Sequence, residues 1–373
     1  MSPSNSALSP WRLATAPMLD WSDRHCRFFF RLLAPRARLY TEMVTTGPLV
    51  HGDAETVRAH LRFNPEEHPV ALQLGGSEPD ELAHAARLAA AWGYDEINLN
   101  CGCPSERVQK GAFGACLMRE PALVADCVRA MRDALPAHIP VTVKHRIGLD
   151  QATDYGFLRD FVGTVSEAGC SVFIIHARHA VLQGLSPKEN REVPPLRYDH
   201  AARLVSDFPA LTFIINGGMA TVADVRARLA ETGAHGVMLG RAAYHDSYRL
   251  AEVHATLFGG EPPSREAVVE AMRHYAARVM AETRHERRPV RLRDVARHLL
   301  GLFTGTAGGK RWRRMLSDPV LLARNDPALL DQALTAVHDA AQRVAPGVAP
   351  ACGGPPAVAD VLRRITLEDR PCR

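Results

Sequence analysis

The sequence predicts a (β/α)8 barrel, also called a TIM barrel, followed by a smaller all-α helical domain. Eight short apolar runs of strand type alternate with segments of helical spacing over about 245 residues, the usual size of such a barrel. The runs are almost continuously apolar, as expected for strands buried on both faces of a parallel sheet. After about residue 250 only helical patterns remain. The expected division is a barrel over 1–250, a helical domain over 251–345 and a disordered tail over 346–373.

The predicted strands are apolar runs bounded by Gly, Pro or charged residues. They are Leu13–Leu19, Leu39–Met43, Val70–Gly75, Glu96–Asn100, Val141–Arg146, Val172–Ala177, Thr212–Asn216 and Gly236–Gly240.

The predicted helices show apolar residues at helical spacing. Ser77 and Thr221 are expected N-terminal caps, and three helices are expected to end in glycine, at positions 93, 169 and 233. The barrel helices are Ser22–Leu33, Glu78–Trp92, Glu120–Leu135, Asp154–Ala168, Tyr198–Asp207 and Thr221–Thr232, and the later ones are Arg265–Arg284, Arg291–Gly301, Arg311–Leu316 and Pro327–Val344.

An open, doubly wound sheet is the alternative fold. It is disfavoured because no GxGxxG fingerprint follows the first strand. The Gly309–Lys310 pair is not a phosphate-binding P-loop either, since Arg311, and not Ser or Thr, follows the lysine.

The composition is that of a globular protein. Of the 373 residues, 46% are hydrophobic and 23% are charged, which excludes a disordered or collagenous chain. No apolar run reaches the roughly 18 residues that a membrane-spanning helix needs, so no membrane partner is expected. The first residues lack the pattern of a secretory signal. We therefore expect a cytoplasmic protein whose eight cysteines are reduced thiols.

Positive charge is concentrated in the predicted helical domain. The chain carries a net charge of +4, yet Arg284–Arg314 holds ten Arg and Lys against two acids, a net +8. Such a basic segment on a mildly acidic body is typical of a protein that binds a polyanion. A solvated helix face is the other interpretation.

Polar residues and glycines stand at the carboxyl ends of the predicted strands. In a barrel these ends converge on one mouth, where the chemistry takes place. Two long connections, Gly102–Arg119 and His179–Leu196, are expected to overhang that mouth.

Two glycine-containing segments predict a phosphate site. Asn216–Gly218 and Gly240–Arg241 follow the seventh and eighth strands, where barrels bind phosphate groups. Glycine lets backbone N–H groups approach the phosphate, and Arg241 adds a charge-assisted hydrogen bond. Tight turns without a ligand are the alternative for either segment alone.

Lys144, His176 and Gln73 indicate a flavin. A lysine stabilises the anionic reduced ring, while a glutamine hydrogen-bonds its pyrimidine edge. A lysine inside a valine-rich strand is costly to bury without a partner, which favours a functional role for Lys144. His176 taken alone is better interpreted as a core histidine.

The segment Asn98–Ser105, NLNCGCPS, holds the candidate thiol. Its C-x-C spacing lacks a matching distal pair, so no metal is expected. A cysteine that is mostly protonated at neutral pH can serve here as a general acid as well as a nucleophile. Four other cysteines are better read as small buried hydrophobic residues, namely Cys101, Cys116, Cys127 and Cys170.

The chain resembles the tRNA-dihydrouridine synthases, in particular their A subfamily. The resemblance runs from about residue 12 to residue 340 and rests above all on INLNCGCPSERVQKGAFGACLM. The stretch SPKENR marks the subfamily. Further matching segments are APMLDWSDRHCR, YTEMVTTG, ALQLGGSEP, VKHRIG, INGGM, GVMLGRAAY and LGLFTGTAGGKRWRR.

The resemblance implies a role for each matching residue. Cys103 would be the proton donor. Asn100, Lys188, Arg191, Lys310 and Arg313 would contact tRNA. The FMN contacts would be Pro17, Met18, Leu19, Gln73, Lys144, His176, Asn216, Gly217, Gly218, Gly240 and Arg241.

The resemblance also implies the reaction. FMN, reduced by NADPH as co-substrate, would reduce the C5–C6 double bond of uridine in the tRNA D-loop, at positions 20 and 20a. The alternatives are a flavin oxidoreductase that acts on a free pyrimidine and a non-catalytic RNA-binding protein. The basic segment disfavours the first alternative, and the cofactor residues disfavour the second.

Overall fold

The structure is a computed structural model that describes residues 9–105, 108 and 111–344. The predicted tail over 346–373 lies outside the described residues. The chain forms two compact units. The first runs to Ser22 and again from Ala37 to Gly240, whereas the second takes Asp23–Arg36 and continues from Arg241.

Eight parallel strands form one sheet in the order β1-β8-β7-β6-β5-β4-β3-β2. Backbone hydrogen bonds between Arg38, just before β2, and both Leu13 and Thr15 of β1 close the ring at 2.9 and 3.0 Å. The predicted (β/α)8 barrel is thereby confirmed. The strands are β1 (Leu13–Thr15), β2 (Leu39–Thr45), β3 (Val70–Gly75), β4 (Glu96–Cys101), β5 (Val141–Arg146), β6 (Val172–His176), β7 (Thr212–Asn216) and β8 (Gly236–Leu239).

The barrel interior is apolar on one side and polar on the other. Small and branched residues from β1, β6, β7 and β8 pack together, among them Ala14, Ile174 and Met238. Alternate residues of β4 are instead polar and face inward, because side chains in a strand alternate with a period of two. Each of these polar residues needs a partner inside the barrel.

Glu96 meets this need at the amino end of β4. Its fully buried carboxylate accepts hydrogen bonds from Tyr40 and Thr142 at 2.6 Å and from the Trp11 indole at 2.7 Å. Arg38 adds an ion pair at 3.2 Å. The carboxylate is therefore compensated as a buried charge must be.

Helices follow most strands of the first unit. Thr221 caps its helix through a capping box with Asp224, and Gly93 ends its helix in the left-handed conformation, as predicted. The predicted cap at Ser77 is wrong: Glu78 occupies the N-cap, because Pro79 supplies the first helical residue. The helices are Thr46–Val50, Ala54–Leu61, Pro79–Trp92, Pro121–Asp133, Tyr155–Glu167, Tyr198–Asp207 and Val222–Thr232.

The second unit is helical. It includes Arg24–Leu33, which the sequence placed among the barrel helices. Nine of the ten residues of this helix are buried, among them three consecutive phenylalanines, and Phe28 stacks on Tyr275 with ring centroids 4.0 Å apart. Among the described helices, none has the length and apolar character needed to span a bilayer. The other helices are Arg241–His245, Tyr248–Phe258, Arg265–Glu282, Leu292–Ala296, Gly309–Leu316, Pro319–Ala323 and Leu329–Val344.

Candidate active site

The strand register brings four predicted site residues to the carboxyl end of the barrel. Asn100 of β4 is paired with Lys144 of β5, and His176 of β6 is paired with Asn216 of β7. Cys103 follows β4 directly and interacts electrostatically with Lys144. The predicted thiol and the predicted cofactor residues of the first unit therefore share one mouth.

Cys103 lies in a turn that is hydrogen-bonded along its backbone. The Asn100 Oδ1 accepts from the amides of Gly102 and Cys103 at 2.9 and 3.0 Å, while the Cys103 carbonyl accepts from Ala115 N–H at 2.9 Å. Gly114 has a φ of +77°, and a Cβ there would stand 2.6 Å from the Cys103 carbonyl oxygen. Only glycine fits this place, so the turn that carries the thiol is closely packed.

Asn100 is bound on both sides of its amide group. Besides its two accepted bonds, its Nδ2 donates to the Gln73 Oε1 at 3.0 Å and to the Met43 Sδ at 3.2 Å. An asparagine has two donor hydrogens and one oxygen that accepts two bonds, so these four contacts use its whole capacity. The tRNA contact implied for Asn100 stays a prediction. In the structure, the Asn100 side chain supports the Cys103 turn through the amides of Gly102 and Cys103.

Gln73 lies at the centre of a polar ladder. Its Nε2 donates to the Asn98 Oδ1 at 2.8 Å, and Asn98 in turn donates to the Thr142 hydroxyl at 2.8 Å. Together with the bond from Asn100, these contacts leave one donor hydrogen and one acceptor position of Gln73 for a ligand. The ladder fixes the direction in which that remaining capacity points.

Lys144 faces the mouth without a counter-ion. Among the described residues, none offers its ammonium group a hydrogen bond. Burial and, to a smaller extent, the positive charge of Arg146 lower the pKa of Lys144 from its ordinary 10.5 to about 7. An anionic ligand beside the ammonium would reverse this shift.

His176 is held neutral at the same mouth. Burial lowers its pKa well below 6.5, and the nearby cations Arg146, Lys144, Arg178 and Arg191 act in the same direction. Within the described residues, its ring nitrogens have no hydrogen-bond partner. Four cations around a neutral histidine make the mouth a place that attracts anions.

The glycines after β7 stand where neighbouring side chains leave no room for a Cβ. A Cβ at Gly217 would stand 2.8 Å from the His176 ring, and a Cβ at Gly218 would stand 2.4 Å from the Tyr198 hydroxyl. Both glycines also have a positive φ, of 110° and 72°. Gly240 differs, because its nearest neighbour would be Ala16 at an ordinary 3.5 Å.

The segment Pro17–Leu19 follows β1. Met18 is fixed by Ser22, whose hydroxyl accepts its amide N–H at 2.8 Å and whose own N–H donates to the Met18 carbonyl at 2.8 Å. The Leu19 side chain is 64% exposed. An apolar side chain left so open next to a strand end is available to a ligand.

The loop after β6 carries the exposed side chains of Lys188 and Arg191. Between them, the buried Asn190 ties the loop to itself. Its side chain accepts from Val181 N–H at 2.7 Å and donates to the carbonyls of Val181 and Leu185 at 2.9 and 3.2 Å. The two basic side chains therefore project from a backbone of fixed shape.

Sequence reasoning assigned no role to Arg146. Its buried guanidinium donates to three backbone carbonyls, those of Gly102 at 3.1 Å, His179 at 3.2 Å and Asn190 at 2.8 Å. The sequence did contain an indication of a role for Arg146, since it follows Lys144 by two residues and so lies on the same face of β5. What the sequence does not contain is the identity of the three carbonyls.

The other described thiols differ from Cys103. Burial raises the pKa of Cys127 and Cys170 to about 12 and raises that of Cys101 well above its ordinary value. Cys103 is half-buried at the mouth, and Cys116 is half-buried with its thiol directed at the Phe113 carbonyl. In the described part of the chain, no three His, Cys, Asp or Glu residues are placed to hold a metal ion.

Three predicted residues belong to the second unit. Arg241 begins its first helix after β8, and Lys310 and Arg313 lie exposed on Gly309–Leu316. On that helix Trp312 faces inward, where its indole donates to the Leu299 carbonyl at 2.8 Å. The two basic residues are thus displayed at the surface of the second unit.

Comparison with known proteins gives one family. The pattern of the dihydrouridine synthase family matches residues 14–341. The tRNA-dihydrouridine(20/20a) synthase of Salmonella typhimurium is 52% identical over 338 residues, covering 90% of this chain and 98% of that protein. The synthase of that name from Pseudomonas syringae pv. tomato is 54% identical over 324 residues, covering 86% of this chain and 93% of that protein. Its counterpart in Escherichia coli O6:H1 is 51% identical over 339 residues, covering 90% and 98%.

Proposed function

The chain belongs to the dihydrouridine synthase family, and from this premise we propose that it reduces the C5–C6 double bond of uridine in tRNA. FMN is the bound cofactor, NADPH is the electron donor, and the target uridines lie in the D-loop. Their positions are 20 and 20a, the two numbers that the names of the relatives give for those proteins. One observation carries the proposal: at the mouth of a barrel, a half-buried thiol stands beside a lysine that has no hydrogen-bond partner among the described residues.

The residues at the mouth fit a flavin. The ammonium of Lys144 and the ring of His176 lack partners among the described residues, and Gln73 keeps one donor and one acceptor position. Gly217 and Gly218 pack closely against His176 and Tyr198, whereas Gly240 after β8 leaves room, since a Cβ there would meet its nearest neighbour at 3.5 Å. We assign Lys144, His176 and Gln73 to the flavin ring and the glycines to its phosphate side.

Bound reduced flavin supplies a hydride to C6 of the uracil ring. As the hydride arrives, negative charge develops on C5 and the neighbouring O4. Cys103 then donates its proton to C5, so the S–H bond breaks and a C–H bond forms. The thiolate that remains attracts Lys144 and Arg146, because Cys103 raises the pKa of both. Being half-buried, the thiol regains a proton from solvent.

The target base has to leave its stack to reach this mouth. Flipping a nucleotide costs a few kcal/mol, which contacts to the phosphates of the RNA offset. Lys188 and Arg191 on the first unit and Lys310 and Arg313 on the second are the residues that we assign to these contacts. A cytoplasmic location, where tRNA is modified, accompanies this assignment.

Unmodified tRNA, NADPH and the purified flavoprotein provide the main test. We expect dihydrouridine, detected as the mass of two added hydrogens at positions 20 and 20a. Cys103→Ala should lower its formation by roughly 100-fold or more, the usual contribution of a general acid, while flavin content and NADPH oxidation remain. The matched control is Cys116→Ala, which removes the other half-buried described thiol and should keep full activity.

The outcomes separate the alternatives. Full turnover of Cys103→Ala would contradict the assignment of the proton donor. Reduction of free uracil but not of tRNA would favour an enzyme of free pyrimidines, and a protein isolated without flavin that binds tRNA would favour a pure RNA-binding protein.

Salt dependence tests the RNA contacts. Changing Lys188 and Arg191 to Gln, or Lys310 and Arg313 to Gln, should each weaken tRNA binding and lower the slope of log K against log salt concentration by about 1 per lost contact. Flavin content should stay unchanged. Loss of flavin instead would mean that the four side chains serve the cofactor.

A further inference from the structure

Arg146 is hydrogen-bonded both to the turn that carries Cys103 and to the loop that carries Lys188 and Arg191. Its Nε donates to the carbonyl of Gly102, the residue before the proposed proton donor. Its Nη1 donates to the carbonyls of His179 and Asn190, which belong to the loop that displays Lys188 and Arg191. One side chain thus fastens the turn of Cys103 and the RNA loop to the same strand.

The geometry requires the guanidinium group. Three carbonyls in different directions need several N–H donors in a rigid planar fork, which arginine has and lysine lacks. The side chain is only 3% exposed, so water cannot easily replace a lost bond. Burial lowers the pKa of Arg146 to about 10, which leaves it charged at neutral pH.

The Cys103 turn and the loop after β6 are each also held by hydrogen bonds that do not involve Arg146. The Cys103 turn has further bonds from Asn100 and Ala115, and the loop is pinned internally by Asn190. Among the described contacts, the hydrogen bonds of the Arg146 side chain connect β5 directly both to the Cys103 turn and to the loop after β6. The guanidinium therefore connects the Asn190 carbonyl directly with that of Gly102.

We propose that Arg146 is a positioning residue that couples seating of tRNA on the loop to placement of the Cys103 thiol for proton donation. This inference rests on the proposed function. It differs from the assignment of charge-bearing RNA contacts, because the buried Arg146 acts through backbone carbonyls.

Arg178 provides a comparison. Its guanidinium also holds the loop, through the carbonyls of Glu192 at 3.2 Å and Pro194, but it makes no described bond to the Cys103 turn. Arg178→Lys should loosen the loop alone and so raise the KM for tRNA. Arg146→Lys keeps the charge but not the fork, so it should also misplace the thiol.

The experiment measures single-turnover reduction of tRNA by flavin-reduced enzyme, at saturating and subsaturating tRNA. We expect Arg146→Lys to lower the rate at saturating tRNA by about 10- to 100-fold, as small misplacements of reacting groups do. The solvent deuterium isotope effect should rise because proton donation becomes limiting. Arg178→Lys should keep the saturating rate within about threefold and change KM only, as expected for lost uniform binding. Arg132→Lys, which removes an arginine bond to the Ala168 carbonyl, is the control for a lost backbone contact.

Three results would overturn the proposal. They are an unchanged saturating rate in Arg146→Lys, a slower rate with no rise in the isotope effect, and loss of flavin or of the cooperative melting transition, which would show that Arg146 only holds the fold together. Absence of dihydrouridine formation by the wild-type enzyme would instead refute the proposed function.

Discussion

Replacing Lys144 by methionine should remove a pH dependence from the stability of the flavin-free protein. The native pKa of Lys144 is about 7, whereas the ordinary value is 10.5. Above pH 7 the unfolded chain therefore holds a proton that the native protein has released. Stability then rises with pH, because the unfolded state binds more protons. Methionine carries no proton in either state.

The magnitude follows from the two pKa values. Integrating the difference in bound protons from pH 7 to pH 9 gives about 2 kcal/mol of added stability for the wild type relative to Lys144→Met. Since the side chain is only partly buried, solvent screening makes this an upper value. Below pH 7 both states hold the proton, and the full cost of the buried charge is present.

Urea unfolding of both flavin-free proteins at pH 7, 8 and 9 measures this difference. Taking Lys144→Met as the reference cancels the titration of every other group. Binding of reduced flavin under anaerobic conditions gives an independent readout, because the anionic reduced ring beside Lys144 should draw a proton onto it. Calorimetry at pH 8 in two buffers of different ionisation enthalpy should therefore show proton uptake in the wild type only. Parallel stability curves for the two proteins would refute the reasoning.

Three further substitutions test the supports of the mouth. Gly218→Ala should destabilise the protein by about 1–3 kcal/mol and weaken flavin binding. The control is Gly184→Ala, which should cost backbone strain alone, because Gly184 has a φ of +86° but no neighbour within 4 Å. Equal losses of flavin by the two variants in thermal titrations would contradict this prediction. Glu96→Gln should lower the urea-unfolding free energy by about 3–5 kcal/mol because it breaks a buried ion pair, and an unchanged midpoint would count against it. Asn190→Ala should speed proteolysis of the loop after β6 while flavin content persists; uniform protection would show that other contacts fix the loop.

The strand ends were predictable because barrel geometry makes a local pattern global. Polar residues that follow apolar runs, such as Lys144 and His176, have to meet at one mouth once eight parallel strands close. The cysteine segment identified the family, and the family match confirms that resemblance. The individual roles of the site residues, including FMN contact, proton donation and tRNA contact, stay predictions.

Other features depended on distant contacts. The helix Arg24–Leu33 follows β1 in the chain but belongs to the second unit, because its three phenylalanines need a second apolar surface such as that around Tyr275. The short helices Thr46–Val50 and Ala54–Leu61 have too few turns for a periodic pattern. Asn100 reads as a polar strand end, whereas the structure shows its amide fully bonded within the protein.

The sequence by itself determined the eight strands, the helical second half, the candidate cysteine and the family, since each depends on local periodicity or on a run of adjacent residues. The tertiary structure decided which groups hold the thiol and the RNA loop in place. Arg146 illustrates the reason: its partners are backbone carbonyls of Gly102, His179 and Asn190. Every residue has a carbonyl, so nothing in the letters of a sequence distinguishes the three that one guanidinium reaches.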